Sequence, residues 1–258
     1  MKWSTMNYTR RMTKQPVALI TGSGKRRVGW HVAEALGERG YALAIHYRSS
    51  QAEAQETIEQ FTRRGFTAAA FRAELADEAQ VKQLIADVLA RFGKLDALVH
   101  TAAIWNPKPL EQITAADVRN YLEANTLATF LCCQHAGLAM VKQATGGSLV
   151  TFGDWATARP YLNYAAYFAS KGTIATLTRT FAVELAARNP RVRVNCLEPG
   201  PVMLPPDLSE EERNNAIAGT LVKREGSPRN IAEAVIHLLE NDFITGTCLP
   251  IDGGRTIR

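Results

Sequence analysis

No stretch of this 258-residue chain is apolar for long enough to cross a bilayer, which excludes a membrane-spanning helix. Residues 1–15 are polar and basic and lack the apolar core of a secretory signal, so they read as a loosely ordered leader. Cysteine is scarce. The four present, Cys132, Cys133, Cys196 and Cys248, form no C-x-x-C pair and have no histidine at ligand spacing. That pattern argues against a zinc site and against a disulfide framework, so no metal is expected. All four lie in apolar surroundings and read as core residues of a cytoplasmic protein. The net charge of +5 is concentrated in Arg10–Lys14 and Lys25–Arg27, with no basic stripe interleaved with aromatics. Nucleic acid is therefore not expected, whereas an anionic small ligand suits the surplus. Repeats, low-complexity segments and internal linkers are also missing, which leaves residues 16–258 as one domain with room for a sizeable core.

What is present is an alternation. Short runs rich in strand formers predict strands at 16–21, 41–47, 66–72, 95–101, 147–152, 191–197 and 247–251. Between them, helical patterns cover 28–39, 52–64, 77–92, 115–143, a stretch from about Tyr164 to Arg188, and 231–240. Strands alternating with helices predict an α/β fold: a single doubly wound Rossmann-type domain, its parallel seven-stranded sheet covered by helices on both faces. The polar segment 199–228, proline-bearing at both ends, reads as a substrate lid.

Two local patterns carry chemistry. The first is Gly22-Ser-Gly-Lys-Arg-Arg-Val-Gly29, set between the first strand and the first helix. Glycines there let the backbone approach a pyrophosphate, and the helix N-terminus supplies amide donors and positive dipole. After the second strand, where an NAD site usually places an acidic residue, stands His46-Tyr47-Arg48-Ser49-Ser50. An arginine and hydroxyls suit a 2′-phosphate, which predicts NADPH; Lys25 and Arg26 would add positive charge. The plainer alternative makes Arg48 an ordinary exposed loop residue. The second pattern is Tyr167 and Lys171, four apart on one helical face. An ammonium beside a phenol lowers the phenol's ordinary pKa of about 10 toward a working range. Tyr-x-x-x-Lys also arises by chance, as a packed tyrosine beside a solvated lysine.

Taken together, Thr21-Gly22…Gly29, Asn125, Tyr167…Lys171, Pro199-Gly200 and Thr245-Gly246…Asp252-Gly253-Gly254 stand in the order and spacing of the short-chain dehydrogenase/reductase family, which the chain resembles from Pro16 to its end. The resemblance implies an NAD(P)-dependent enzyme that assembles as a homotetramer, with Asn125, Tyr167 and Lys171 as three of its four catalytic residues. It also implies cofactor contacts at Gly22, Lys25, Arg26, Arg27, Val28, His46, Arg48, Ser49, Glu74, Leu75, Thr101, Ala102, Tyr167, Lys171, Pro199, Gly200 and Val202. Three departures point to one branch. The fourth catalytic position, normally serine, is Asp154; Arg27 replaces a turn glycine; and His100-Thr-Ala-Ala103, followed by Trp105, replaces Asn-Asn-Ala-Gly. These resemble the pteridine reductases, although the glycine turn is one residue longer, Ala103 replaces a serine and Trp105 a phenylalanine.

On that resemblance the substrate is pterin-like, of dihydropterin or dihydrofolate type, and meets Arg27, Trp105, Asp154, Trp155, Tyr167, Met203 and Leu204. Tyr167 would deliver the proton, Lys171 would tune it and bind the nicotinamide ribose, and Asn125 would hold a relay water. A carboxylate at 154 would repel the oxyanion of a ketone substrate but can protonate or hydrogen-bond a basic heterocycle. The alternatives are that Asp154 caps the turn before Trp155, that Trp105 is a core or interface residue, and that Arg27 faces phosphates alone. His31, His135 and His237 read as structural, and His100 as near the adenosine. A carbonyl or 3-oxoacyl reductase of the same fold remains open, as does a non-catalytic NADPH-sensing protein.

Overall fold

The computed structural model describes residues 15–258. The expected leader falls almost wholly outside these residues. The strands are β1 (Val17–Thr21), β2 (Ala42–Tyr47), β3 (Ala68–Arg72), β4 (Ala97–His100), β5 (Gly147–Phe152), β6 (Val192–Pro199) and β7 (Cys248–Ile251). The described residues thus form one seven-stranded sheet in the order β3-β2-β1-β4-β5-β6-β7, every pair parallel. β1 and β4 are buried at every position, as expected of strands covered on both faces, which is why they read as continuous apolar runs.

Between the strands lie α1 (Val28–Glu38), α2 (Gln51–Arg63), α3 (Glu78–Phe92), α4 (Ala115–Tyr121), α5 (Ala128–Val141), α6 (Ala165–Lys171), α7 (Ile174–Ala186), α8 (Glu210–Ala218) and α9 (Pro228–Glu240). On one face Trp30 and Leu36 of α1 and Ile231 and Val235 of α9 pack on Ile20, Ile45 and Val99. On the other, Val81 and Val88 of α3, Leu131 and Met140 of α5 and Phe181 and Leu185 of α7 pack on Leu19, Leu98 and Leu149. No helix among the described residues is long and apolar enough to cross a membrane.

Two helices expected to be continuous are not regular throughout. The 115–143 pattern contains a π-helical turn at Leu122–Leu127, between α4 and α5. The second breaks at Gly172-Thr173, between α6 and α7. At this break the Ser170 carbonyl accepts from the hydroxyls of Thr126 (3.0 Å) and Thr173 (2.7 Å). Hydroxyls that compete for main-chain carbonyls loosen a helix at that point. The strand order reverses between β1 and β4, so the cleft at their C-terminal ends is where an open α/β sheet binds ligands.

Candidate active site

The segments singled out in the sequence meet around this cleft. Gly22 adopts φ +67°, and a Cβ there would stand 2.9 Å from Ala102 Cα, so the turn after β1 lies flat against the segment after β4. Thr101 Oγ1 donates to the Thr21 carbonyl (2.5 Å), and the Ala102 amide donates to Thr21 Oγ1 (3.3 Å). His46, 2% exposed, accepts the Gly22 amide at Nδ1 (3.1 Å) and donates from Nε2 to the Ala73 carbonyl (3.1 Å). Burial lowers its pKa to about 4, so it is neutral near pH 7. The sequence placed His46 on the cofactor; with both ring nitrogens engaged, it fixes the glycine turn from behind instead. His100 is also buried and neutral, its pKa lowered to about 3 by burial and then by the charge of Lys171. Its Nδ1 lies 3.1 Å from Thr21 Oγ1, while its Nε2 has no partner among the described residues.

The first turn of α1 has no acidic residue, and its N-cap, Arg27, makes no side-chain capping bond. Its amides are therefore uncapped by any side chain. Lys25 pairs with Glu53 (3.1 Å), and Arg26 lies over the Trp30 ring (4.9 Å), which turns both aside from a ligand in this conformation. Arg27, Arg48 and Ser49 are exposed at the cleft edge, with Val28 half-buried beside them. Arg48 stands 3.7 Å from Glu74. Leu75 is 4% exposed and its side chain belongs to the core, leaving its main chain alone to meet a ligand. After β6, Gly200 is a required glycine, since a Cβ would stand 2.5 Å from Asp252 Cα. Pro199 ends β6, and Val202 bridges to Gly226 in the polar segment.

Across the cleft, Asp154 follows β5. Its Oδ1 accepts the Ala156 amide (2.9 Å) and caps the short turn Trp155–Thr157, while its Oδ2 accepts the Tyr167 hydroxyl at 2.5 Å. The cap that the sequence offered as the alternative for Asp154 does form, and the same side chain also meets Tyr167. Burial raises the Asp154 pKa, opposed by the bond from Tyr167, the Ala156 amide and Lys171. Tyr167 is raised well above the ordinary phenol value, first by burial and then by the charge and hydrogen bond of Asp154. The lysine-lowered phenol expected from the sequence is therefore not what forms. Lys171 is buried, has its own pKa lowered by burial, and donates Nζ to the Phe152 carbonyl at 2.7 Å. Tyr167 is a neutral donor to a carboxyl group.

Asn125 lies in the π-helical turn and is 1% exposed. Its Oδ1 accepts the Ile104 amide (2.9 Å), and its Nδ2 donates to the Ile104 carbonyl (3.1 Å) and to Ser170 Oγ (2.9 Å). Its carbonyl accepts from Thr129 Oγ1 (2.6 Å). Asn125 thereby clamps the 101–105 segment to α6. Tyr121 completes this clamp, its hydroxyl donating to the Asn106 carbonyl (2.7 Å) and accepting the Asn106 amide (3.0 Å). Sequence reasoning missed Tyr121; the available signal was its position four residues before Asn125 on the same helical face.

Trp105 is stacked on Tyr164, with ring centroids 4.9 Å apart and 17° between planes, and donates Nε1 to the Tyr161 hydroxyl (3.3 Å). Tyr164 thus covers one face of the Trp105 ring. Met203 adopts φ +52° and is 37% exposed, and the Leu204 amide donates to Glu225 (2.8 Å). The structure also assembles what the linear cysteine spacing concealed. The ligand atoms of Cys196, Glu198 and Cys248 lie within 4.8 Å of one another, because Cys196 and Cys248 pair in register across β6 and β7.

A family model described as enoyl-(acyl carrier protein) reductase matches residues 23–256. The oxidoreductase YgfF of Escherichia coli K12 is 31% identical over 251 residues, covering 93% of this chain and 99% of that protein. The 3-oxoacyl-[acyl-carrier-protein] reductase FabG of Staphylococcus aureus is 30% identical over 248 residues, covering 95% and 98%. Among solved structures, a blue fluorescent protein from a metagenomic library, in complex with NADPH, superposes with a TM-score of 0.84 at 29% identity, over 94% of this chain and 98% of that one.

Proposed function

The chain belongs to the short-chain dehydrogenase/reductase family, and on that premise we propose that it is an NADPH-dependent reductase of pterin-like substrates, of dihydropterin or dihydrofolate type. The observation that carries the reading is the 2.5 Å hydrogen bond from Tyr167 to Asp154. A ketone reductase needs a neutral hydroxyl beside the phenol, because a carboxylate there repels the developing oxyanion. A carboxyl group suits a ring nitrogen that accepts a proton as its C=N bond is reduced.

The cleft fits the cofactor. A Cβ at Gly22 or Gly24 would stand 2.9 Å from Ala102 Cα or from Tyr47 Cβ, so the turn packs closely on its main chain there, and the α1 amides beside it, which have no side-chain cap, are left to meet a pyrophosphate. Gly22, Arg27, Val28, Thr101, Ala102, Pro199, Gly200 and Val202 would border the nucleotide, and Arg48 and Ser49 its 2′-phosphate. Bound there, the nicotinamide supplies the hydride. The chain supplies the proton: Asp154 and Tyr167 hold it between them, and Lys171, fixed on the Phe152 carbonyl, keeps positive charge behind the pair. The neutral phenol suits donation. Asn125 and Tyr121 act as positioning residues, since both hold the segment carrying Trp105 and neither need touch the substrate. The 199–228 segment would close over the site with Met203 and Leu204 on the substrate side. Leu127, Phe130 and Val183 leave apolar surface exposed on the long helices, which supports a homotetramer; light scattering after size exclusion tests it.

A second reading, reduction of a 3-oxoacyl thioester, is favoured by the identity to FabG. Loss of NADPH absorbance with dihydrobiopterin, and not with a 3-oxoacyl thioester, is the expected result. Asp154→Ser should lose dihydropterin reduction with the fold retained. Turnover of the thioester alone would retire the pterin reading. NADPH binding without turnover of either would favour a sensing protein.

A further inference from the structure

A cavity of about 350 Å³ lies against the turn that follows Asp154, bounded by the rings of Trp155 and Tyr161 and by Arg159, Arg255 and Arg258. We propose that it is a subsite for a carboxylate or phosphate carried on the tail of the substrate. The proposal rests on the reading of Asp154 and Tyr167 as the reacting pair and extends it to the far end of the molecule they reduce.

The charge balance is the first argument. Three guanidiniums line this cavity, and no aspartate or glutamate does. Each arginine has a hydrogen bond to a main-chain carbonyl: Arg159 to that of Arg255 (3.2 Å), Arg255 to that of Ala216, and Arg258 to that of Thr220 (3.5 Å). None of the three is ion-paired among the described residues. Residues 1–14 contain no aspartate or glutamate that could supply a counter-charge. The neighbouring acid, Asp252, is engaged by the Thr256 amide (2.6 Å), the Thr256 hydroxyl (2.7 Å) and the Gly254 amide (2.9 Å). Burial lowers the Arg255 pKa first, and Arg159 and Arg258 lower it further by repulsion, against the opposing pull of Tyr161 and Asp252. Guanidinium groups carry their donors in a rigid fork that matches carboxylate and phosphate oxygens, so an anion between them would relieve this repulsion.

Position is the second argument. Arg255 is fixed rather than free: its guanidinium lies over the Trp155 ring at 4.6 Å and is tied to Ala216. Trp155 is bonded in sequence to Asp154, and the Tyr161 hydroxyl accepts from Trp105 on the substrate side. The Asp154 charge is felt at Tyr161, whose pKa is pushed up to about 12, first by burial. Trp155 and Tyr161 stand with ring centroids 6.3 Å apart at 27°, offering flat apolar contact between the acid pair and the arginines. A substrate whose ring meets Asp154 and whose tail ends in an anion spans this arrangement.

The test uses the full chain with NADPH and two matched pairs of substrates. Dihydrofolate against dihydrobiopterin varies a carboxylated tail, and a 3-oxoacyl coenzyme A against the same acyl group on N-acetylcysteamine varies a phosphorylated one. The wild type should favour the anionic member of one pair by about 10- to 100-fold in kcat/KM, with the preference falling as salt rises. The responding pair identifies carboxylate or phosphate. Arg159→Gln and Arg255→Gln should each raise KM for the anionic member about tenfold, leaving the neutral member and the affinity for NADPH unchanged. Arg159 is exposed, so its variant guards against misfolding of the other. Calorimetric binding of both pairs separates this proposal from the catalytic one. Tighter anion binding that Arg159→Gln abolishes upholds the subsite even without turnover. Equal affinity within both pairs, or a fall in NADPH affinity in the variants, overturns it.

Discussion

Asp154→Asn replaces one oxygen by an amide nitrogen and leaves the side chain nearly the same size. The Ala156 amide keeps its acceptor and the cap survives; the charge and the capacity to carry a proton do not. A positioned acid of this kind contributes about 10²- to 10⁴-fold, so the reductive rate should fall by that factor, equivalent to about 3–5 kcal/mol. The pH dependence should change with it. Because burial raises the Asp154 pKa, the folded chain holds a proton that the unfolded chain has released, between the ordinary carboxylate value and the raised one. In that window the unfolded chain binds fewer protons, so wild-type stability declines as pH climbs through it and is level beyond. Reduction that draws on the acid form should decline through the same raised value. The variant should be slow and level across the range, and its melting temperature should gain on the wild type as pH rises. The assays are NADPH oxidation and thermal melts of both proteins from about pH 4, the ordinary carboxylate value, to about pH 9, read together. A variant within tenfold of wild type with the wild-type pH limb intact would refute the role assigned to Asp154.

Arg48→Asp should raise KM for NADPH by about 10- to 100-fold, the worth of a charge-assisted phosphate contact, with little change for NADH; steady-state kinetics with both cofactors measures it. His46→Leu strands the Gly22 amide and the Ala73 carbonyl, at about 1–3 kcal/mol each, and should lower the urea midpoint and weaken NADPH binding together. Because His46 is held neutral with a pKa of about 4, the unfolded chain takes up the proton first on acidification. Wild-type stability should therefore fall from about pH 6.5 toward about pH 4, by roughly 3 kcal/mol from this residue, and the leucine variant should lose that part of the slope. Tyr121→Phe removes the hydroxyl that holds Asn106 and should cost about 1–2 kcal/mol in a denaturant titration, with a rise in substrate KM larger than any change in kcat.

The inner strands were legible because burial on both faces makes them short apolar runs, as in Val17–Thr21 and Ala97–His100. The glycine turn was legible because its conformation demands glycine at Gly22. Features that depend on partners distant in the chain were not. The His46 ring answers to Gly22 and Ala73, 24 and 27 residues away, and nothing beside it announces either bond. Arg159 and Arg255 are 96 residues apart, and Cys196 meets Cys248 only through strand register. The π-helical turn at Leu122–Leu127 contains neither glycine nor proline, so nothing in its residues marks it off from the helices on either side.

Tyr167 and Lys171 stand where the four-residue spacing put them, yet their electrostatics run the other way. Spacing alone pairs the ammonium with the phenol. The fold interposes two stronger partners, the Phe152 carbonyl for the ammonium and Asp154 for the phenol. Burial raises the phenol first, and Asp154 adds to it by its charge and by accepting the hydroxyl's hydrogen bond. A site that must abstract a proton from an alcohol needs a phenolate, which this environment opposes. A site that must give a proton to a reduced nitrogen needs a neutral donor resupplied by a nearby acid, which is what a raised carboxyl group 2.5 Å from the hydroxyl provides. On the proposed reading, a carboxyl group in place of a serine-type hydroxyl at this position suits a substrate whose ring nitrogen takes up the proton.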